Sequence, residues 1–113
     1  MRGLDVPTLN KVTLIGNIGQ EPEIGSTNTG TKTASFSVAT TEKYTDNQGV
    51  KKESTQWHNI ACYKRLAEIA ENYLKKGSPL FIEGKLNYRS WEDPQTGQKK
   101  YRTEIIANNI QML

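Results

Sequence analysis

Only one stretch of this chain repeats its apolar residues at helical spacing, and the segments on both sides of it alternate instead. Leu66, Ile69, Ala70, Tyr73 and Leu74 fall at i, i+3, i+4, i+7 and i+8, which draws one apolar stripe along a helix. Glu71 precedes Lys75 by four residues in the favourable order. Lys75 and Lys76 occupy the expected last turn, and Gly77 follows as the expected C-terminal cap. A lone helix cannot bury its stripe against another helix, so it must lie on a sheet.

The flanking segments supply that sheet. Lys11 to Ile18 reads as a strand with Val12, Leu14 and Ile18 on one side, and Gly16 inside it suggests a bulge or sharp bend. Thr33 to Thr41 alternates, with Ala34, Phe36 and Val38 facing one way and Ser35 and Ser37 the other. Asp46-Asn47-Gln48-Gly49 is a hairpin turn, and Ser54 to Tyr63 is the third strand. Beyond the helix, Pro79 to Trp91 places Leu80, Ile82 and Leu86 on one face. Asp93 to Gly97 is a turn, and Lys99 to Leu113 is a last strand broken near Asn108-Asn109. Gly25 to Lys32 reads as loop. The expected fold class is therefore all-β: a small five-stranded Greek-key β-barrel of the OB-fold type, with its helix between strands 3 and 4. Several small α+β folds share that order of elements.

With 113 residues the chain has room for one modest core. The expected layout is a flexible N-terminal segment at 1–9 and one barrel domain at 10–113. No apolar run is long enough to span a bilayer, and Met1 to Asp5 opens neither a secretion signal nor a transit pattern. The single cysteine, Cys62, fits a reducing interior. The cytoplasm, in association with the nucleoid, is the expected location in preference to the mitochondrial matrix.

The side chains opposite the core carry the functional signal. On the third strand Trp57, Asn59, Ala61 and Tyr63 share a face, while His58, Ile60 and Cys62 share the other. On the fourth strand Lys85, Asn87, Arg89 and Trp91 lie opposite the apolar set. Large aromatics thus alternate with cations and amides where solvent is expected, an arrangement a plain solvated face rarely shows. Unpaired bases offer flat π-faces and a charged backbone. Aromatics stack on any base and cations neutralise phosphates, so this mixture suits single-stranded nucleic acid of any sequence. Tyr44 and Lys52, on either side of the first hairpin turn, extend the set. Tyr44 has the parity of Phe36 and Val38 and reaches the outer face only through an intervening bulge.

Other readings of these residues stay open. Tyr63 can seal the barrel against the helix, and Trp57 and Trp91 can be dimer contacts. A barrel that binds proteins, or one that binds RNA, would carry similar side chains. Catalysis is not expected. One His and one Cys, four residues apart, do not make a zinc site, and no phosphate-binding or dinucleotide fingerprint is present. No cofactor and no metal are expected. The net charge of +3 comes from the second half: residues 63–113 carry nine Lys and Arg against six acids, while residues 1–62 carry six of each.

These residues resemble the bacterial single-stranded DNA-binding protein family, which includes mitochondrial versions. The blocks are Asn10 to Glu23, Phe36 to Glu42, Gln56 to Ile60, Arg65 to Glu68, Tyr73 to Ser78, Ile82 to Leu86, Trp91 to Asp93 and Ile110 to Leu113. The resemblance implies sequence-independent binding and protection of single-stranded DNA in replication, recombination and repair. It places base stacking on Tyr44, Trp57, Tyr63 and Trp91. Lys11, Arg65, Lys75, Lys76 and Arg89 match positions that are often basic, to which the residue pattern adds Lys52 and Lys85 as phosphate contacts. Asn59 and Asn87 stand where many relatives have Arg, which implies a weaker electrostatic grip. His58 matches a residue that holds subunits together, implying a homotetramer built as a dimer of dimers; a half-buried hydrogen-bonded His is the alternative. Family members usually continue into a flexible linker and an acidic tip that recruits replication and repair proteins. Recruitment of such partners by this chain is expected only if its full-length form carries that tip.

Overall fold

The computed structural model of the chain describes residues 6–113. Of the expected N-terminal segment, residues 1–5 lie outside the described residues, and 6–11 form no helix or strand.

Six strands and one helix follow: β1 (Val12–Ile18), β2 (Glu23–Ser26), β3 (Lys32–Thr45), β4 (Lys51–Tyr63), α1 (Arg65–Tyr73), β5 (Pro79–Glu92) and β6 (Lys99–Met112). The sheet runs β1-β5-β6-β4-β3-β2, and β1 also pairs with β3. That last pairing closes β1, β5, β6, β4 and β3 into a five-stranded barrel and leaves β2 as a short flap on the edge of β3. The expected barrel is present, with one correction. The stretch from Gly25 to Lys32, read as loop, supplies Gly25 and Ser26 to β2 and Lys32 to β3, so α1 follows the fourth strand of the chain, which is the third strand of the barrel. All four residues of β2 are exposed, so no buried face repeats in its sequence and alternation cannot reveal it.

Burial follows the alternation elsewhere. The core joins Ile18, Ala34, Phe36, Val38, Ile60, Cys62, Leu80, Ile82, Ile105 and Ala107 from the strands to Ala67, Ala70 and Leu74 from the helix region. Val38, Ile60, Leu80 and Ile82 are each fully enclosed; burying such a side chain contributes about 1.5–3 kcal/mol. Leu86 keeps the parity of Leu80 and Ile82 but is exposed; β1 pairs with β5 only as far as Gly84.

Gly16 is not at a bulge. It pairs in register with Leu80, and a Cβ there would stand 2.3 Å from the Ala39 carbonyl oxygen. Its role is to let β3 approach β1 and close the barrel. The break expected near Asn108 is real: β6 skips one residue between Asn109, which faces Glu83, and Ala107, which faces Gly84.

The helix is shorter and rotated relative to the expected stripe. It ends at Tyr73, and Leu74 is already extended. Ala67 and Ala70 form its buried line, while Tyr73 is 61% exposed. Lys75, Lys76 and Gly77 belong to the following turn, in which the Ser78 amide donates to the Lys75 carbonyl at 3.0 Å and Gly77 takes φ 87°. That is the third position of a type II turn, where glycine is favoured. Glu71 pairs with Lys32 of β3 instead of Lys75. This bond is the main reason the Lys32 ammonium is held above the usual lysine range.

The strands β3 to β6 are each 13 or 14 residues long. A barrel wall of this size cannot use that length, so the β3–β4 and β5–β6 hairpins project as two arms. The radius of gyration is 17.2 Å, well above the roughly 13 Å of a compact chain of this length.

Candidate nucleic-acid interface

The outer wall of β4, β5 and β6, with the β2–β3 flap beside it, forms an open groove of about 640 Å³. Tyr63, Ala61, Asn87, Arg89 and Glu104 line it from the wall, and Ser26, Thr27 and Asn28 from the flap. Ala61 and Tyr63 of one expected array and Asn87 and Arg89 of the other therefore meet in one place, while Trp57, Asn59, Lys85 and Trp91 lie outside the groove's lining. Tyr63 is 38% exposed and opens onto the groove, so it does not serve as a plug between barrel and helix.

Trp91 lies two residues beyond Arg89 on the same face of β5. The Arg89 guanidinium carbon sits 5.9 Å from the centre of the Trp91 ring, within range of a cation–π contact. Among the described residues Arg89 has no carboxylate partner within 4 Å. It presents a charge beside an indole that is 44% exposed. Arg102, cross-strand from Arg89, adds a second cation that alternation along β6 alone does not single out. The register of the β5–β6 hairpin, counted back from the Asp93–Gly97 turn, is the signal that finds it.

Trp57 is the most exposed of the four expected stacking aromatics, at 62%. One edge of its indole rests on Gly19, where an added Cβ would stand 2.3 Å from Cζ3 and 3.1 Å from Ser37 Oγ. The ring is thus positioned by backbone on one side and open on the other. Between it and the groove a small hollow brings Asn59 together with Ser37 and Arg102.

Tyr44 is half exposed, but no bulge brings it there. Pairing between β3 and β4 is continuous from Thr33–Tyr63 to Thr45–Lys51, so Tyr44 lies on the ribbon face opposite Trp57. Both faces of this arm are in solvent, and the parity argument that applies inside the barrel no longer decides exposure. A hollow of about 600 Å³ at the arm surrounds Tyr44 with Lys43, Lys51 and Lys52.

The expected phosphate contacts do not form one row. Lys85 and Arg89 follow the groove strand. Lys11 is held by Glu83 at 3.1 Å and Lys52 by Asp46 at 3.3 Å. Hydrogen bonds from Asn109 and Lys11 hold the Glu83 carboxyl below the usual range. For Asp46 the backbone amide of Val50 does most of that lowering, with Gln48 and Lys52 adding to it. Arg65 faces a separate hollow on the helix with Glu68, Asn72 and Tyr73, and Lys75 and Lys76 lie in the turn beyond α1. His58 is half-buried and sits 2.9 Å from Thr40 Oγ1 through Nε2.

Several groove residues were not anticipated, Glu104 and the flap's Ser26, Thr27 and Asn28 among them. Glu104 is buried at 7% exposure and accepts from Asn87 Nδ2 at 3.2 Å. A carboxylate on the groove floor repels phosphate, so it favours a strand that turns its bases, not its backbone, toward the wall.

A closed five-stranded barrel of this topology, with open indoles and guanidinium groups on its outer surface, belongs to the OB-fold class. The model of the "Single-strand binding protein family" matches residues 9–113. Single-stranded DNA-binding protein 1 of Chlorobaculum tepidum is 48% identical over 105 residues, which is 93% of this chain and 65% of that protein. Among solved structures, a Plasmodium falciparum SSB complex with ssDNA aligns at TM-score 0.86 and 36% identity, covering 96% of this chain and 98% of the other. A deletion mutant of the Thermus aquaticus single-stranded DNA-binding protein aligns at TM-score 0.79 and 33% identity, covering 93% of this chain and 50% of that one. The chain belongs to the single-strand binding protein family. It spans about two thirds of the length of the Chlorobaculum relative.

Proposed function

We propose that the protein binds single-stranded DNA with little regard to base sequence, and protects it during replication, recombination and repair without catalysing a reaction. The observation that carries this reading is Arg89, which lines the groove with Tyr63 and stands 5.9 Å from the centre of the open Trp91 ring. Aromatic faces there take bases, and neighbouring cations take phosphates. Trp57 extends the path toward the β3–β4 arm, and Tyr44 takes a base on that arm's opposite face. Lys85, Arg89 and Arg102 neutralise the backbone most directly. Lys11 and Lys52 must first give up Glu83 and Asp46, so they contribute less, and Arg65, Lys75 and Lys76 act only on a strand that wraps past the helix.

The assembly follows as part of the same proposal. The outer edge of β1 from Val12 to Ile15 carries no strand partner among the described residues, since β3 joins only at Asn17 and Ile18. Ile15 on that edge is 63% exposed. Such an edge invites a second copy, consistent with a homotetramer in which His58 supports subunit contact. Recruitment of replication and repair proteins is proposed only if the full-length protein carries an acidic tip. Among the described residues no helix is long and apolar enough to cross a membrane. The bacterial cytoplasm is the proposed compartment.

Native mass measurement with oligo(dT) of increasing length tests the proposal. Expected are complexes of a fixed subunit number that take up strands in discrete steps. A protein that stays free of oligo(dT) at every length refutes it.

A further inference from the structure

We propose that the β5–β6 arm carries a second stacking surface for unpaired nucleotides on its other face, built on Tyr88 and Tyr101. This rests on the reading of the groove just given and extends the strand beyond it.

Tyr88 and Tyr101 are the most exposed rings in the chain's described part, at 77% and 73%. Tyr88 pairs with Thr103, and Tyr101 with Ser90. They are therefore diagonal neighbours on one face, roughly 7–8 Å apart as antiparallel positions at that offset are. Alternation puts Arg89, Trp91 and Arg102 on the opposite face. A hollow of about 130 Å³ between the two tyrosines is bordered by Thr103, Arg89 and Arg102. Two open tyrosines on a two-stranded ribbon gain nothing from the core, which ends before Leu86.

Charge decides the occupant. Residues 85–103 carry five Lys and Arg against two acids, which is the whole net charge of the chain. Among the described residues none of those five cations is paired with a carboxylate. Four of them, Lys85, Arg89, Lys100 and Arg102, stand on the Trp91 face, and Lys99 stands across from Glu92 on the tyrosine face, so the thin ribbon as a whole is net positive and favours a polyanion on either side. A polyanion with flat bases matches both features, and the proposed groove already delivers one to the base of the arm. The strand leaves the Trp91 face, crosses the arm and stacks on Tyr88 and Tyr101.

The test compares the full chain with Y88A/Y101A and with Y88F/Y101F on oligo(dT) of two lengths. Strands of ~8 nucleotides fill the groove only, and strands longer than ~16 per barrel reach past it, given site sizes of about 4–16 nucleotides per OB fold. The expected result is equal affinity for short strands in all three proteins, with a loss of at least about fivefold for long strands in the alanine variant alone. Phenylalanine restores binding because it retains the π-face. Photo-crosslinking of the unmodified protein to a long 5-iodo-deoxyuridine oligonucleotide gives an independent readout, with adducts expected on Tyr88 or Tyr101. Equal long-strand affinity in all three proteins overturns the proposal, as does crosslinking confined to the Trp57 and Trp91 wall. A change in subunit number without change in strand affinity also overturns it and assigns the face to a second copy. Failure of the unmodified protein to bind short strands refutes the groove reading itself, a separate outcome.

Discussion

Replacing Gly19 by alanine should move one indole and leave the fold intact. The Gly19 Cβ would lie 2.3 Å from Cζ3 and 3.0 Å from Cη2 of Trp57. Carbon atoms in contact keep about 3.5–4.0 Å, so the ring must retreat by roughly 1 Å or more. Trp57 is mostly in solvent and can swing away at little cost. Gly19 does not adopt the left-handed backbone, so alanine adds no strain, and the Gly19 amide keeps its 3.0 Å bond to the Ser37 carbonyl. Stability should change by less than about 0.5 kcal/mol, as for surface substitutions. Strand affinity should fall by some part of the ~1–3 kcal/mol that one stacked base contributes, a range drawn from barrels of this kind, this family included. A double-mutant cycle with Trp57→Ala, read by anisotropy of a labelled oligo(dT), isolates the effect. With alanine at 57, the Gly19 substitution should cost nothing. An equal cost in both backgrounds would refute the argument that Gly19 acts through the ring.

Other outcomes follow from the same geometry. Trp91→Ala should weaken binding by about 1–3 kcal/mol with little dependence on base sequence, measured on oligo(dT) and oligo(dC). Arg89→Ala should flatten the log–log salt dependence by about 0.7 if one phosphate contact is lost; Lys11→Ala should flatten it less, because Glu83 already holds that ammonium. Cys62 is buried, which pushes its thiol up to about 11. At pH 8 a thiol reagent should therefore leave the folded protein unlabelled and react on unfolding. The folded thiol keeps its proton where the unfolded one loses it, so this contribution to stability is full below pH 9 and fades as pH rises toward 11. Rapid labelling at pH 8 would contradict the burial. Gly16→Ala should prevent folding where Gly19→Ala does not, since its Cβ meets backbone at 2.3 Å; circular dichroism distinguishes them.

Alternation along the chain identified the barrel wall because a half-buried strand must write its two faces into the sequence. Val12, Leu14 and Ile18, or Ala34, Phe36 and Val38, do so, and the groove set of Tyr63, Asn87 and Arg89 emerges as their complement. The same logic fails wherever burial stops. β2 has no buried face, Leu86 has an apolar side chain with no core to enter, and Tyr44 is open on an arm with two wet faces. The helix stripe was partly right: Ala70 and Leu74 are buried and Leu66 packs against the core, but Ala67, outside the stripe, is buried as well and Tyr73 is exposed. Pairing across space was not legible at all: the hold of Glu83 on Lys11, of Asp46 on Lys52 and of Glu71 on Lys32, and the burial of Glu104, depend on registers that a single sequence does not state.

Tryptophan fluorescence tests the central claim most directly. In Trp91→Phe only residue 57 reports, and in Trp57→Phe only residue 91. Titration of each with oligo(dT) should quench the remaining indole to a common endpoint, as bases cover the open face of each ring. Tight uptake of the strand with both indoles as bright as before would show that bases do not lie on this wall.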